Sequence, residues 1–126
     1  MAYQTLSYKV DSDVVKTEGK NRYSRDEVIL ASGSPALEVG TVLGMVTTTG
    51  KYEQLDPAAS DGTQTARAIL LEKTPALSAD RRVVVLARAA EVVSQALIWP
   101  AGINATQKAT ALASLDGRGI VARNGV

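Results

Sequence analysis

The sequence predicts a mainly β domain, folded as a sandwich, a barrel or a bent ribbon, with one short helix near its C-terminal end. Three observations carry that prediction. Short apolar runs rich in Val, Ile and Leu recur from residue 27 onward. Gly and Pro turn signals separate them. A capped segment with a 3.6-residue period begins only at Asn104.

Composition limits what such a domain can do. The 126 residues are 45% apolar and 21% charged, which is globular. A chain of this length buries roughly 65% of the surface that its unfolded form exposes, enough for a real core. The net charge of +1, from 14 basic and 13 acidic residues, gives counterion release no purchase, so no nucleic-acid partner is expected. Cys and His are both absent. Their absence excludes Cys/His zinc sites, thiol nucleophiles, Ser-His-Asp triads and disulfides, and makes the fold indifferent to redox compartment. No apolar run approaches the ~20 residues of a membrane span. The polar start Met1-Ala2-Tyr3-Gln4-Thr5 does not read as a signal peptide, so no membrane partner is expected either.

Residues 1–24 are expected to form a flexible arm, with a single β-rich domain over residues 25–126. Segment 11–25 offers only Val14, Val15 and Tyr23 as sizeable apolar groups, too few to anchor it. Within the arm, Leu6, Tyr8 and Val10 recur every second residue, while Thr5, Ser7 and Lys9 take the other face. That is the period of a half-buried strand, and a lone strand must find a partner for its backbone. Two partners are open to it: the protein's own sheet, as an edge strand, or the sheet edge of another molecule. Fully extended, the arm would reach on the order of 80 Å.

The body reads as strand after strand. Glu27-Val28-Ile29-Leu30-Ala31 ends in the loop signal Ser32-Gly33-Ser34-Pro35. Thr41-Val42-Leu43-Gly44-Met45-Val46-Thr47 lies between Gly40 and Gly50, and Lys51-Tyr52-Glu53-Gln54-Leu55 stops at Asp56-Pro57. Residues 66–72 centre on Ala68-Ile69-Leu70-Leu71. Residues 82–87 hold Val83-Val84-Val85-Leu86, a continuous apolar run expected of a strand covered on both faces. Residues 91–99 are expected to be a further β segment, ending at Trp99-Pro100. Asn104 then caps a helix with Gln107 three positions on. Ala105, Ala109, Leu112 and Ala113 share its apolar face, and Gly117 is its expected stop. Gly119-Ile120-Val121-Ala122 closes the fold as a last strand.

Catalytic chemistry finds no home in these residues. Neither a GxGxxG nor a Walker-type loop is present. Asp61-Gly62-Thr63 has the wrong order for an aspartic protease and reads as a turn. Asp11/Asp13 and Asp26/Glu27 fit no calcium loop. Asn104-Ala105-Thr106 matches a glycosylation sequon but explains a helix cap better. Trp99 has two roles open to it, a buried plug or an anchor between protein chains. Four Tyr and no Phe are too few for a stacking platform. No catalytic residue, metal ligand or cofactor is expected.

The order of several weak motifs carries a resemblance. Gly40-Thr41-Val42-Leu43-Gly44, Gly50-Lys51-Tyr52, Asp61-Gly62-Thr63, the strand ending Ala68-Ile69-Leu70, Leu97-Ile98-Trp99-Pro100 and the closing Gly119-Ile120-Val121 together resemble the head decoration proteins of lambda-type tailed phages. The resemblance covers roughly residues 27–123 and is poorest over the arm. It implies a β-clip-like bent ribbon or small barrel with one short helix, and a homotrimer seated outside the expanded head. The implied partner is the major capsid protein, whose lattice the trimer cements without catalysis, placing the chain on the outer capsid surface of the virion. Leu6, Tyr8 and Val10 are then the capsid-binding face of the arm, with Trp99 and Pro100 as a trimer contact. Two rivals remain: a trimeric nucleotide pyrophosphatase of the dUTPase type, which shares the β-clip class, and a minor tail or adaptor protein. The first needs a metal-bound Asp, a glycine-rich phosphate loop and an aromatic lid, none of which is found in this sequence.

Overall fold

Alternation along the central strands sorts their side chains into two separate cores. The computed structural model describes residues 13–20 and 23–124. Its elements are β1 (Val15–Glu18), β2 (Arg25–Leu30), β3 (Val42–Met45), β4 (Tyr52–Gln54), β5 (Ala68–Leu70), β6 (Arg81–Leu86), β7 (Ala90–Val93), α1 (Ala105–Asp116) and β8 (Ile120–Arg123). On β3, β5 and β6, Leu43, Ala68, Leu70, Val83 and Val85 join one buried cluster, with Leu30 of β2 and Tyr52 of β4. Their neighbours Val42, Ile69 and Leu86 join the other. This two-sided burial explains the unbroken apolar run over residues 83–86, since each face of β6 has a core of its own.

The fold is mainly β, and its centre is a closed five-stranded barrel in the order β2-β4-β3-β5-β6. β2 runs antiparallel to β6 from Arg25↔Leu86 to Leu30↔Arg81, and a parallel contact, Leu30↔Tyr52, closes the ring. Side chains from all five strands fill the interior, as a barrel this small requires. A three-stranded sheet, β1-β7-β8, packs with α1 over the second cluster. There β7 runs antiparallel to β1 and parallel to β8. No helix among the described residues is long and apolar enough to cross a membrane.

Three local expectations are corrected. The segment judged too poor in apolar groups to anchor itself is anchored from residue 14. Val14 is 0% exposed within the second cluster, and β1 pairs Val15 with Val92 and Glu18 with Ala90. The β segment expected over residues 91–99 breaks after Val93 into a 3-10 turn, Ser94–Ala96. Val92 and Leu97 both belong to the second cluster, yet their odd spacing would put them on opposite faces of one strand. The turn reconciles the two, and Ile98 then bridges in parallel to Thr41. On α1 the buried residues are Ala111 and Leu115, with Leu112 partly buried beside them, while Ala105, Ala109 and Ala113 are exposed. Leucines carry far more apolar area than alanines, so Leu112 and Leu115 set the roll of the helix. The helix stops at Gly117 as expected, with that residue right-handed at φ −61° and Gly119 taking the left-handed conformation at φ 84°. The cap itself is as expected: Asn104 accepts from the Gln107 N–H, and the Gln107 side chain accepts from the Asn104 N–H.

Candidate functional site

The strand period at Leu6, Tyr8 and Val10 lies outside the described residues. What is visible is where that segment joins the body. Among the described residues β1 pairs only with β7, so it stands there as an edge strand of the sheet. The join is firmly made. Buried Ser24 donates its hydroxyl to the Ala89 carbonyl at 2.9 Å and accepts from the Gly19 N–H at 2.7 Å. Arg25 forks onto the Glu18 carboxylate, with Nη2 to Oε1 at 2.7 Å and Nε to Oε2 at 3.0 Å. The end of β1 is thereby tied to the starts of β2 and β7.

Trp99 and Pro100 sit on the strap that crosses the mouth of β3. The Ile98 N–H donates to the Gly40 carbonyl at 2.9 Å, and the Val42 N–H donates to the Ile98 carbonyl at 3.1 Å. Trp99 packs part of its surface on the second cluster and leaves the rest accessible, so it is neither a sealed plug nor a fully free anchor. Pro100 lines a hollow of about 350 Å³ that also takes in Pro35, Asp56, Asp61 and Thr63.

Asp61-Gly62-Thr63 is the turn its dipeptide predicts, and its carboxylate is occupied. Thr63 donates both its hydroxyl, at 2.6 Å, and its N–H, at 3.1 Å, to Asp61 Oδ1. The hydroxyl bond, then the backbone bond, hold that carboxyl below its ordinary pKa of 3.8. An acid so held is a poor proton carrier near neutrality. The turn lies against β3, where a Cβ on Gly44 would meet the Thr63 Cα and carbonyl oxygen at 2.6 Å. Gly44 is thus required by a close backbone approach and has no phosphate-loop character. Among the described residues no group of three or more acidic side chains gathers to hold a metal.

A family model described as bacteriophage lambda head decoration protein D matches residues 6–120. The chain belongs to that family. Membership gives it a structural role in decorating the phage head, and so a place in the virion capsid. The match takes in both sequence-predicted sites, Leu6, Tyr8 and Val10 at one end and Trp99 and Pro100 at the other, together with every barrel strand. No curated protein matches the chain.

One surface residue was passed over in the sequence. The sequence offers Tyr23 only as a weak anchor, yet it is 62% exposed, the one exposed large apolar side chain among the described residues. Its ring lies 5.4 Å from the Arg88 guanidinium, whose Nη1 donates to the Tyr23 carbonyl at 2.7 Å. Arg88 also grips Asp26 through both nitrogens, and that hydrogen bond raises the guanidinium pKa above its ordinary range. No local pattern reveals this group, because its members lie 62 and 65 positions apart.

Proposed function

We propose that the chain acts as a homotrimer on the outside of the expanded head, cementing the major capsid lattice through its N-terminal segment. The observation that carries this reading is the family match, which begins at residue 6, within that segment, and runs through the body. The position of β1 supports it, because among the described residues the first strand belongs to the three-stranded sheet and not to the closed barrel. Leu6, Tyr8 and Val10 supply the inward face of a strand added to a capsid sheet. Main-chain hydrogen bonds give such a strand its affinity and alternate side chains give it register.

Trimerisation makes weak arms effective. One short strand binding at about millimolar strength contributes ~4 kcal/mol. Three arms on one rigid body raise the effective concentration of each later contact, so avidity exceeds single-arm affinity by about 10²–10⁴. Trp99 and Pro100 contact the neighbouring copy in this arrangement.

The test must respect Val14. A deletion reaching residue 20 removes β1 and a fully buried valine, so the informative deletion ends at residue 12. That variant is expected to keep its melting temperature and its trimer mass in light scattering, and to stop cosedimenting with empty expanded heads. Undiminished cosedimentation would refute the arm.

A further inference from the structure

An open cleft of about 430 Å³ lies where the chain crosses between barrel and sheet, and it holds more positive charge than its own walls neutralise. Tyr23 comes from the β1–β2 crossing, Arg88 from the β6–β7 crossing and Arg118 from the link between α1 and β8. Arg67, immediately before β5, and Tyr52 of β4 complete the lining with Asp26. Asp26 is committed to Arg88. Neither Arg67 nor Arg118 makes an ion pair or a side-chain hydrogen bond among the described residues. Three guanidiniums against one carboxylate leave an excess of two positive charges. The last turn of α1 scarcely competes for them, since Gly117, Arg118 and Gly119 N–H groups already bond the Ala113, Leu115 and Asp116 carbonyls.

We infer that this cleft is a carboxylate-binding site that receives an acidic peptide segment of the head surface. The inference rests on the decoration role proposed above and names the chemistry of a second contact, separate from the N-terminal segment. Guanidinium forks match carboxylates in two-point geometry, and two unengaged forks in one cleft suit a segment with neighbouring Asp or Glu side chains. The exposed Tyr23 ring offers an apolar face for the stems of those side chains. Phosphodiester chains fit less well. A nucleic acid needs a track of cations, whereas this chain carries a net charge of only +1 and places Asp26 in the cleft wall. Two other hollows among the described residues lack the charge: one beside Pro100 is lined by Glu53, Asp56 and Asp61, and one against α1 has no charged lining residue.

The experiment compares wild type with Arg67→Ala/Arg118→Ala, each checked for an unchanged melting temperature, in cosedimentation with empty expanded heads. The double variant is expected to bind about 10-fold more weakly, the loss of a charge-assisted contact. Its binding should also fall less than that of wild type as salt rises from ~0.05 to ~0.5 M. Equal binding and equal salt dependence would overturn the cleft while leaving the decoration role intact. If the double variant fails to fold, Arg118→Ala, at an exposed position, carries the same comparison. A second arm is independent of heads: labelled wild-type protein is titrated by NMR with a tetraglutamate peptide and, separately, with a short duplex DNA. Peptide-dependent shifts at Arg67, Arg118 and Tyr23 that vanish in the variant support the site. Shifts with DNA alone, or with neither probe, overturn it. Wild type that shifts with peptide but does not cosediment would instead count against the decoration role.

Discussion

The barrel and the sheet beside it use similar residues but complete their backbones in opposite ways. Every barrel strand has two neighbours, the ring closing where Leu30 of β2 meets Tyr52 of β4. In the three-stranded sheet, β1 and β8 each have one neighbour among the described residues. A closed ring offers other molecules no row of unpaired donors and acceptors, whereas an open sheet does. The contrast separates two tasks. The barrel fixes geometry through a core filled from five strands, and in the reading proposed above the sheet flank and the strap at Trp99 are what meet other chains.

The sharpest way to break that contrast is to cut into each region in turn. Leu70→Ala empties space inside the barrel, where the leucine is fully buried against Val85, and should cost about 2–5 kcal/mol. Val15→Ala on the open β1 should cost ~1 kcal/mol or less, because the valine is only half-buried. Urea midpoints at constant slope read both, and equal losses would erase the mechanical distinction. Trp99→Ala comes next in expected size. Its decisive readout is mass: light scattering should show trimers falling apart. Unchanged mass with lower stability would return Trp99 to the core. The smallest effect belongs to Asp80, whose Oδ2 lies 2.6 Å from Lys51 Nζ and whose Oδ1 accepts from the Ser32 N–H at 2.9 Å. The Lys51 bond, foremost, keeps its pKa below the ordinary 3.8. A carboxyl lowered on folding adds stability above its unfolded pKa and loses it as pH falls through the folded one. Thermal midpoints should therefore drop below pH ~4, and drop less steeply in Asp80→Asn. Parallel curves for the two proteins would remove Asp80 from the acid response.

Barrel strands were legible because each carries its own signal. Val42-Leu43, Ile69-Leu70 and residues 83–86 are apolar on both faces, and Gly40 and Gly50 mark the ends of the first. The capping pair Asn104 and Gln107 was legible for the same reason, being local. The open flank was harder to read. No side chain of β1 is fully buried, the buried Val14 lies one residue before it, and the partner of the strand is β7, so nothing nearby announces it. The break at Ser94 follows from which face Leu97 must reach, a fact of the assembled core. The roll of α1 was misjudged by counting alanines as equal to leucines. The charged cleft was invisible, since its arginines come from three separate connections and meet only through the fold.

The pairing of Val15 with Val92 also sets an order of completion during synthesis. A ribosome delivers the opening strand first, but its mate emerges only after β6, the strand that closes the ring with β2. Translation can thus finish the ring while the opening residues still lack a ladder, and the flank is laid down afterwards. A message cut short between Leu86 and Ala90 would encode all five ring strands and none of β7, on which both outer strands depend.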